Sequence, residues 1–224
     1  MIREMIETKD GSFTMAVPEM KVTYHSVHGA IQESRHVFIN AGLNYACGNL
    51  KVHDVLHLLE IGLGTGLNAL LTLLETEETG CAIHYTAIEP FPLSLEEIAL
   101  LNYCSQLKRV DRKDEFKRMH QCEWGKDVAI SSLFSFHKTK ESLLHFSGEK
   151  YHLVYFDAFA PASQPDLWTQ SVFENIYQML LPGGVLVTYC CKGDVRRAML
   201  KAGFMVEKLS GPPGKREMIR AVKT

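Results

Sequence analysis

Three short stretches of this 224-residue chain carry residues placed to do chemistry. The first is Val55-Leu56-His57-Leu58-Leu59-Glu60-Ile61, followed at once by Gly62-Leu63-Gly64-Thr65-Gly66-Leu67-Asn68. An apolar run of that length reads as a buried parallel strand. The glycines let the backbone turn tightly and approach a ligand closely. A helix predicted over 66–76 would then aim its free N–H groups at that ligand. Glu60, Gly62, Gly64, Gly66 and Asn68 are therefore candidates to cradle a nucleotide-like cofactor. The second stretch, Cys81 to Glu89, reads as the next strand and also ends in an acid. Glu89 lies 23 residues after Gly66, where a carboxylate accepts hydrogen bonds from a ribose diol. The third stretch is His152-Leu153-Val154-Tyr155-Phe156-Asp157, which runs into Ala158-Phe159-Ala160-Pro161. Ligands of open α/β sheets sit at the carboxyl ends of the strands, and Asp157 is placed there beside Gly62 and Glu89. Its carboxylate can hold an amine by charge-assisted hydrogen bonds and take its proton.

The glycine spacing narrows the cofactor. A dinucleotide fingerprint needs G-x-G-x-x-G or its alanine variant. Here the third glycine comes one residue early, and Leu67 stands where the last small residue belongs. G-x-G-x-G after an acid-ending strand resembles the first motif of S-adenosyl-L-methionine (SAM)-dependent methyltransferases. Both NAD and SAM carry a ribose, so Glu89 does not discriminate between them. Phe159 would pack against a flat base or the cationic sulfonium. Each residue also has a structural alternative: a solvated strand-end acid for Glu89, a turn or cap acid for Asp157, core packing for Phe159.

These residues need a sheet to align them. Strand signals fall at 55–61, 82–89, 143–147, 152–157, 184–190, 204–210 and 217–223, and helix signals at 66–76, 92–102, 114–119, 169–180 and 193–202. The alternation predicts a mostly parallel, seven-stranded α/β sheet of the Rossmann-like class I methyltransferase type. The last two strands flank Gly211-Pro212-Pro213-Gly214-Lys215-Arg216, too short for a crossover helix, so they should form an antiparallel hairpin. Residues 1–50 fall outside the alternation. Lys21 to His25 and His36 to Asn40 look like short strands, which suggests a small β-rich cap over the cofactor mouth. That cap belongs to the same domain as the methyltransferase region at 51–224.

Composition excludes several classes. Hydrophobic residues make up 46% and charged residues 22%, ordinary for a soluble domain. No apolar run approaches a membrane span, and the N-terminus lacks the apolar stretch of a signal peptide. Six cysteines without a C-x-x-C pair fit reduced thiols in a cytoplasmic chain. His25-x-x-His28 has no partners at ligand spacing, so no metal is expected. The net charge of −2 hides a polarity. Glu60 to Leu100 holds seven acids and no Lys or Arg, whereas Leu186 to Thr224 holds nine bases against three acids. That basic segment is either a phosphate-binding face or a solvated surface.

More specific strings follow. Asp157-Ala158-Phe159-Ala160-Pro161 with Asp166-Leu167-Trp168, and Gly211-Pro212-Pro213-Gly214-Lys215-Arg216-Glu217-Met218, resemble the methyltransferase domains of the MnmC family, the tRNA 5-methylaminomethyl-2-thiouridine methyltransferases. Val22 to Ser26, Gly29 with Glu33, Leu59 to Asn68, Thr188 to Gly193 with Val195 to Arg197, and Gly203-Phe204 with Val206-Glu207 extend the likeness from about residue 20 to the C-terminus. Two positions depart from the pattern: His25 where Phe is usual, and Cys191 where Ala is usual.

The resemblance implies SAM-dependent methylation of the exocyclic amine of 5-aminomethyluridine at the tRNA wobble base. Many relatives are fused to an FAD-dependent oxidase domain that makes this amine. This chain ends at Thr224, so the likeness is to a stand-alone methyltransferase with no FAD. Asp157 and Phe159 would then be catalytic, and Glu60, Gly62, Gly64, Gly66, Asn68, Glu89 and Asp157 would bind the cofactor. Lys192, Arg196, Lys215 and Arg216 would contact the tRNA anticodon arm, with neither DNA nor membrane as partner. Two other readings stay open from the residues alone: a methyltransferase for a small-molecule or protein amine, and a non-catalytic RNA-binding module.

Overall fold

The structure is a computed structural model that describes residues 2–50 and 54–224. It opens with a three-stranded antiparallel sheet of β1 (Glu4–Glu7), β2 (Phe13–Val17) and β3 (Val22–Thr23). Helix α1 (Ala30–Ser34) continues without a break through a π-helical stretch, Arg35–Leu43, into α2 (Asn44–Cys47).

The main sheet holds β4 (Leu56–Ile61), β5 (Ile83–Ile88), β6 (Val128–Ala129), β7 (Phe134–Thr139), β8 (Tyr151–Phe156), β9 (Leu180–Thr188), β10 (Met205–Ser210) and β11 (Glu217–Val222). Their order is β10-β11-β9-β8-β4-β5-β7-β6. The five central strands, β9 to β7, are parallel, and β6, β10 and β11 pair antiparallel. The expected C-terminal hairpin is β10–β11, and β11 lies between β10 and β9. Six of the seven expected long strands stand where predicted, give or take a few residues, and the unpredicted β7 with the two-residue β6 brings the sheet to eight.

Parallel strands covered on both faces must be apolar nearly throughout. β4 and β8 show this, with five of six residues buried in each. Leu56 and Leu58 face one core layer with α3 (Leu67–Thr79), the π-helical stretch, α4 (Leu95–Ala99), α5 (Tyr103–Gln106) and α6 (Lys113–Gln121). Leu59 and Ile61 face the other, under α7 (Gln170–Met179) and α8 (Gly193–Lys201). Within the first layer Leu70 of α3 is fully buried, and truncating it to Ala would cost about 2–5 kcal/mol.

Two expectations fail. Residues 143–147 form a turn, with His145 and Phe146 N–H both donating to Ser142 O, and Leu143 is buried against the second layer. The strand that flanks β5 is β7, Phe134-Ser135-Phe136-His137-Lys138-Thr139, whose alternation sends both phenylalanines inward. His36 to Asn40 is helical, because Val37, Phe38, Ile39 and Leu43 continue the buried face begun at Ala30. A short apolar run does not by itself separate strand from helix.

Register positions the site. Ile61 pairs with Ile88 on one side and with Phe156 on the other. The next residues, Gly62, Glu89 and Asp157, therefore leave the sheet side by side at its carboxyl edge.

Candidate functional site

The loop after β4 folds back on β5, with Gly62 and Leu63 N–H donating to Ile88 O at 3.0 and 3.3 Å. Gly62 has φ +91°, and a Cβ there would sit 2.8 Å from the Asp157 carbonyl. Gly66, at φ +75°, caps α3, and its Cβ would meet the His120 ring at 2.6 Å. Burial and the Lys138 charge hold that histidine at about 4, so a neutral ring backs the loop. Both turns thus demand glycine for conformation and for space.

Glu89 is tied into the same loop. Gly64 N–H donates to its Oε2 and Phe91 N–H to its Oε1, each at 2.9 Å. Burial raises its carboxyl above the usual range, while these two donors and Arg3 pull it back. Each oxygen keeps a lone pair for a further donor such as a ribose hydroxyl.

Beneath the loop, Asn68 joins two acids. Its Nδ2 donates to Glu60 Oε1 and to Asp157 Oδ2, both at 2.9 Å. Glu60 is fully buried, and burial pushes its carboxyl well above the usual range. Asp157 is half-buried at the cavity wall. Burial and then the negative charge of Glu33 push its carboxyl well up, while Asn68 and Lys215 oppose the shift.

Gly62, Gly64, Glu89, Asp157 and Phe159 line one cavity of about 410 Å³, a size usual for small-molecule sites. Glu60, Gly66 and Asn68 support that wall from below. Phe159 is fixed at both backbone ends: its N–H donates to Gln164 Oε1 and its carbonyl accepts from Trp168 Nε1, each at 2.8 Å. Its ring meets Tyr24 edge-on at 5.1 Å. The Tyr24 hydroxyl accepts from Arg3 Nε at 2.9 Å, and Arg3 also donates to Phe91 O and Glu97. Sequence reasoning missed Arg3, Tyr24, Gln164 and His120, because no local pattern links them to the glycine loop. His25 also lines the cavity, with Nδ1 2.8 Å from the Thr14 hydroxyl, and burial holds it at about 4.

The basic segment divides. Lys215 turns inward, pairing with buried Glu33 at 2.5 Å and lying 3.9 Å from the Tyr189 ring centroid. It is thus engaged beside Asp157 rather than projecting as a free phosphate contact. Arg220 pairs with Glu207, Lys208 with Glu217, and Lys223 caps Tyr177 and Leu180 carbonyls. Lys192 and Arg216 are exposed and form no ion pair among the described residues. Arg196 is half-buried on the first turn of α8. Lys192 follows β9, and Arg216 precedes β11, which runs antiparallel to β9, so both stand at the cavity edge of the sheet.

Comparison with known proteins agrees with this geometry. The tRNA 5-methylaminomethyl-2-thiouridine biosynthesis bifunctional protein MnmC of Leptospira interrogans is 32% identical over 206 residues, covering 88% of this chain and 32% of that protein. The protein of the same name from Pseudomonas entomophila is 29% identical over 218 residues, covering 90% and 32%. The chain therefore spans about one third of the length of the curated relatives it matches. Among solved structures, MNMC2 from Aquifex aeolicus superposes with a TM-score of 0.78 at 23% identity, covering all of this chain and 70% of that one. A probable spermidine synthase from Corynebacterium glutamicum gives 0.55 at 16% identity, covering 99% and 77%; both share the fold. Residues 112–224, which include Asp157, Phe159 and the whole C-terminal half of the sheet, match the family described as S-adenosyl-L-methionine-dependent methyltransferase. With the glycine cradle supplying the other half of the cavity, the chain belongs to the S-adenosyl-L-methionine-dependent methyltransferase family.

Proposed function

We propose that this chain methylates the exocyclic amine of 5-aminomethyl(-2-thio)uridine at the wobble position of tRNA. The observation that carries the reading is Asp157: a half-buried carboxyl of raised proton affinity, beside Gly62 and Glu89 on one cavity wall. The MnmC proteins, named for tRNA 5-methylaminomethyl-2-thiouridine biosynthesis, are similar along nearly all of this chain.

The residues fit SAM. Gly62, Gly64 and Gly66 hold a tight left-handed loop in which a Cβ would collide with Asp157, Tyr24 and His120, and Glu89 would accept from the ribose hydroxyls. SAM supplies an activated methyl on a sulfonium, so the transfer itself calls for neither FAD nor a metal. The remaining work is positioning and proton handling. The amine must attack as its neutral base along the line of the breaking carbon–sulfur bond. Asp157 would orient it and receive its proton, and Asn68 fixes that carboxyl. Tyr24 and Phe159 offer an aromatic wall for the uracil ring. A base in a single-stranded anticodon loop leaves its stack at low cost. Lys192, Arg196 and Arg216 would meet phosphates of the anticodon arm, and Lys215 would set the field at Asp157. Residues 1–50 would belong to one domain with 51–224, the three-stranded sheet β1–β3 serving as its cap and the helical stretch after it packing into the core. The site of action is the cytoplasm, where tRNA resides; among the described residues no helix is long and apolar enough to cross a membrane.

The test is nucleoside analysis of tRNA bearing 5-aminomethyluridine after incubation with the protein and SAM. The expected product is the methylaminomethyl nucleoside, dependent on both. Methylation of free amines or proteins with untouched tRNA would replace this reading with another acceptor.

A further inference from the structure

A second cluster of chemistry-bearing side chains lies at the opposite, amino-terminal edge of the sheet. His57 on β4 pairs in register with His84 on β5, and Leu58 pairs with Leu153, which sets His152 of β8 beside His57. Side chains alternate along a strand, so the three imidazoles form one row on one face, with ring centroids 5.2 and 5.9 Å apart. Five residues of extended chain separate His57 from Gly62, about 16 Å, so the row is outside the cofactor cavity.

The row has the features of a ligand set. One donor atom each from His57, His84 and Glu149 lie within 4.8 Å of one another. Glu149 Oε2 approaches His57 Nδ1 at 3.6 Å. The Nδ1 atoms of His57 and His84 are both buried and lack a hydrogen-bond partner among the described residues. Buried polar atoms without partners are costly and rare. His84 is meanwhile held from its other nitrogen, with Nε2 3.2 Å from Asp127 Oδ1, and Asp127 also meets His137 Nδ1 at 3.0 Å. A carboxylate holding one imidazole N–H leaves the other nitrogen as a lone pair, the usual support of a metal-bound histidine.

We propose that His57, His84 and Glu149 form a binding site for a divalent transition metal of the zinc class at the edge of the sheet remote from the cofactor cavity. Two imidazoles and a carboxylate suit zinc, nickel or copper rather than magnesium or calcium. Tetrahedral coordination places donors about 3.4 Å apart, and Glu149, on the exposed loop before β8, supplies the movement needed to close the set. The same loop carries Leu143 at the cavity wall, so a bound ion would staple β4 and β5 to the segment that borders the cofactor. Sequence spacing concealed the set, because its members lie 27 and 65 residues apart.

The test is calorimetric titration of chelator-treated full-length protein with Zn²⁺, followed by Co²⁺ absorption spectroscopy. One equivalent should bind with a Kd in the micromolar range or below, and a hundredfold excess over Kd should raise Tm by about 5–10 °C. Glu149→Gln, on an exposed loop, should weaken binding at least about tenfold, and His84→Gln more. Both variants should keep the parent circular dichroism and SAM affinity. Co²⁺ should show nitrogen and oxygen ligation without thiolate charge transfer. A Kd weaker than about 1 mM, affinity unchanged in Glu149→Gln, or thiolate charge transfer from the cysteines would each overturn the site. SAM binding in the same preparations reports on the methyltransferase assignment separately.

Discussion

Replacing Asn68 by Ala should destabilise the protein in a pH-dependent way. The side chain makes two hydrogen bonds of 2.9 Å, one to Glu60 and one to Asp157. Glu60 is fully buried, and Asn68 provides the one hydrogen bond of good geometry to its carboxyl among the described residues. Losing both bonds, and leaving a buried acceptor without a partner, should cost about 2–4 kcal/mol. For a chain of this size that is a fall in Tm of roughly 5–15 °C. Burial already raises the proton affinity of Glu60 in the folded state, and the hydrogen bond from Asn68 is the largest influence holding it down. A group raised on folding contributes stability that is complete below its unfolded value and is lost as pH rises through its folded value. Removing Asn68 raises the folded value further, so that loss continues to higher pH. The deficit of the variant should therefore be smallest near about pH 5 and larger near about pH 9. Thermal unfolding followed by circular dichroism at several pH values measures it. A deficit that is constant with pH would refute the claim that Asn68 acts by restraining buried carboxyls.

Four other outcomes follow from the site. Gly62→Ala forces an L side chain to φ +91° against the Asp157 carbonyl; it should cost about 1–3 kcal/mol in stability, and calorimetry should show SAM affinity falling more than tenfold, about 1.4 kcal/mol or more. Asp157→Ala should leave SAM binding largely intact but reduce single-turnover methylation by about 10²–10⁴-fold; turnover near the parent rate would demote the carboxyl to a turn-capping role. Arg216→Ala should make the slope of log K against log salt for tRNA shallower by about 0.7–0.9 with Tm unchanged. Lys215→Ala should do the reverse, lowering Tm because Glu33 loses its partner, with little change in salt slope; equal behaviour of the two variants would contradict the inward orientation of Lys215.

The parts of the site that neighbour one another in sequence were legible there. Gly62, Gly64 and Gly66 announce a loop because no other residue tolerates those turns, and strand-end acids announce themselves by interrupting apolar runs. Glu60 and Asn68 were legible as members of the motif, but the second bond of Asn68 was not, since it reaches Asp157, 89 residues beyond. Lys215 looked like a surface cation because its partner, Glu33, is 182 residues away. β7 escaped notice because its alternation carries Ser135, His137 and Lys138, polar enough to read as a loop, and Lys138 hides by donating to the His120 carbonyl and lying over Trp124. Phe159 was legible as an aromatic near the acceptor; its rigid mounting by Gln164 and Trp168 was not.

The placement of β11 has a consequence for biosynthesis. This strand is the latest of the sheet to leave the ribosome, yet it is interior, paired along Ser210↔Glu217 to Met205↔Val222 on one side and Val185 to Thr188 on the other. Until it emerges, β9 presents an unpaired, largely apolar edge, and β10 has no neighbour to join. Vectorial folding can assemble β4, β5, β7, β8 and β9 with their helices, but it leaves this seam open. The nascent chain thus passes through a stage with a complete glycine cradle and an open flank. A nascent-chain series stalled before and after residues 217–222 should show protease resistance in the β9–β10 region arriving in a single step, when the last strand slides into the gap.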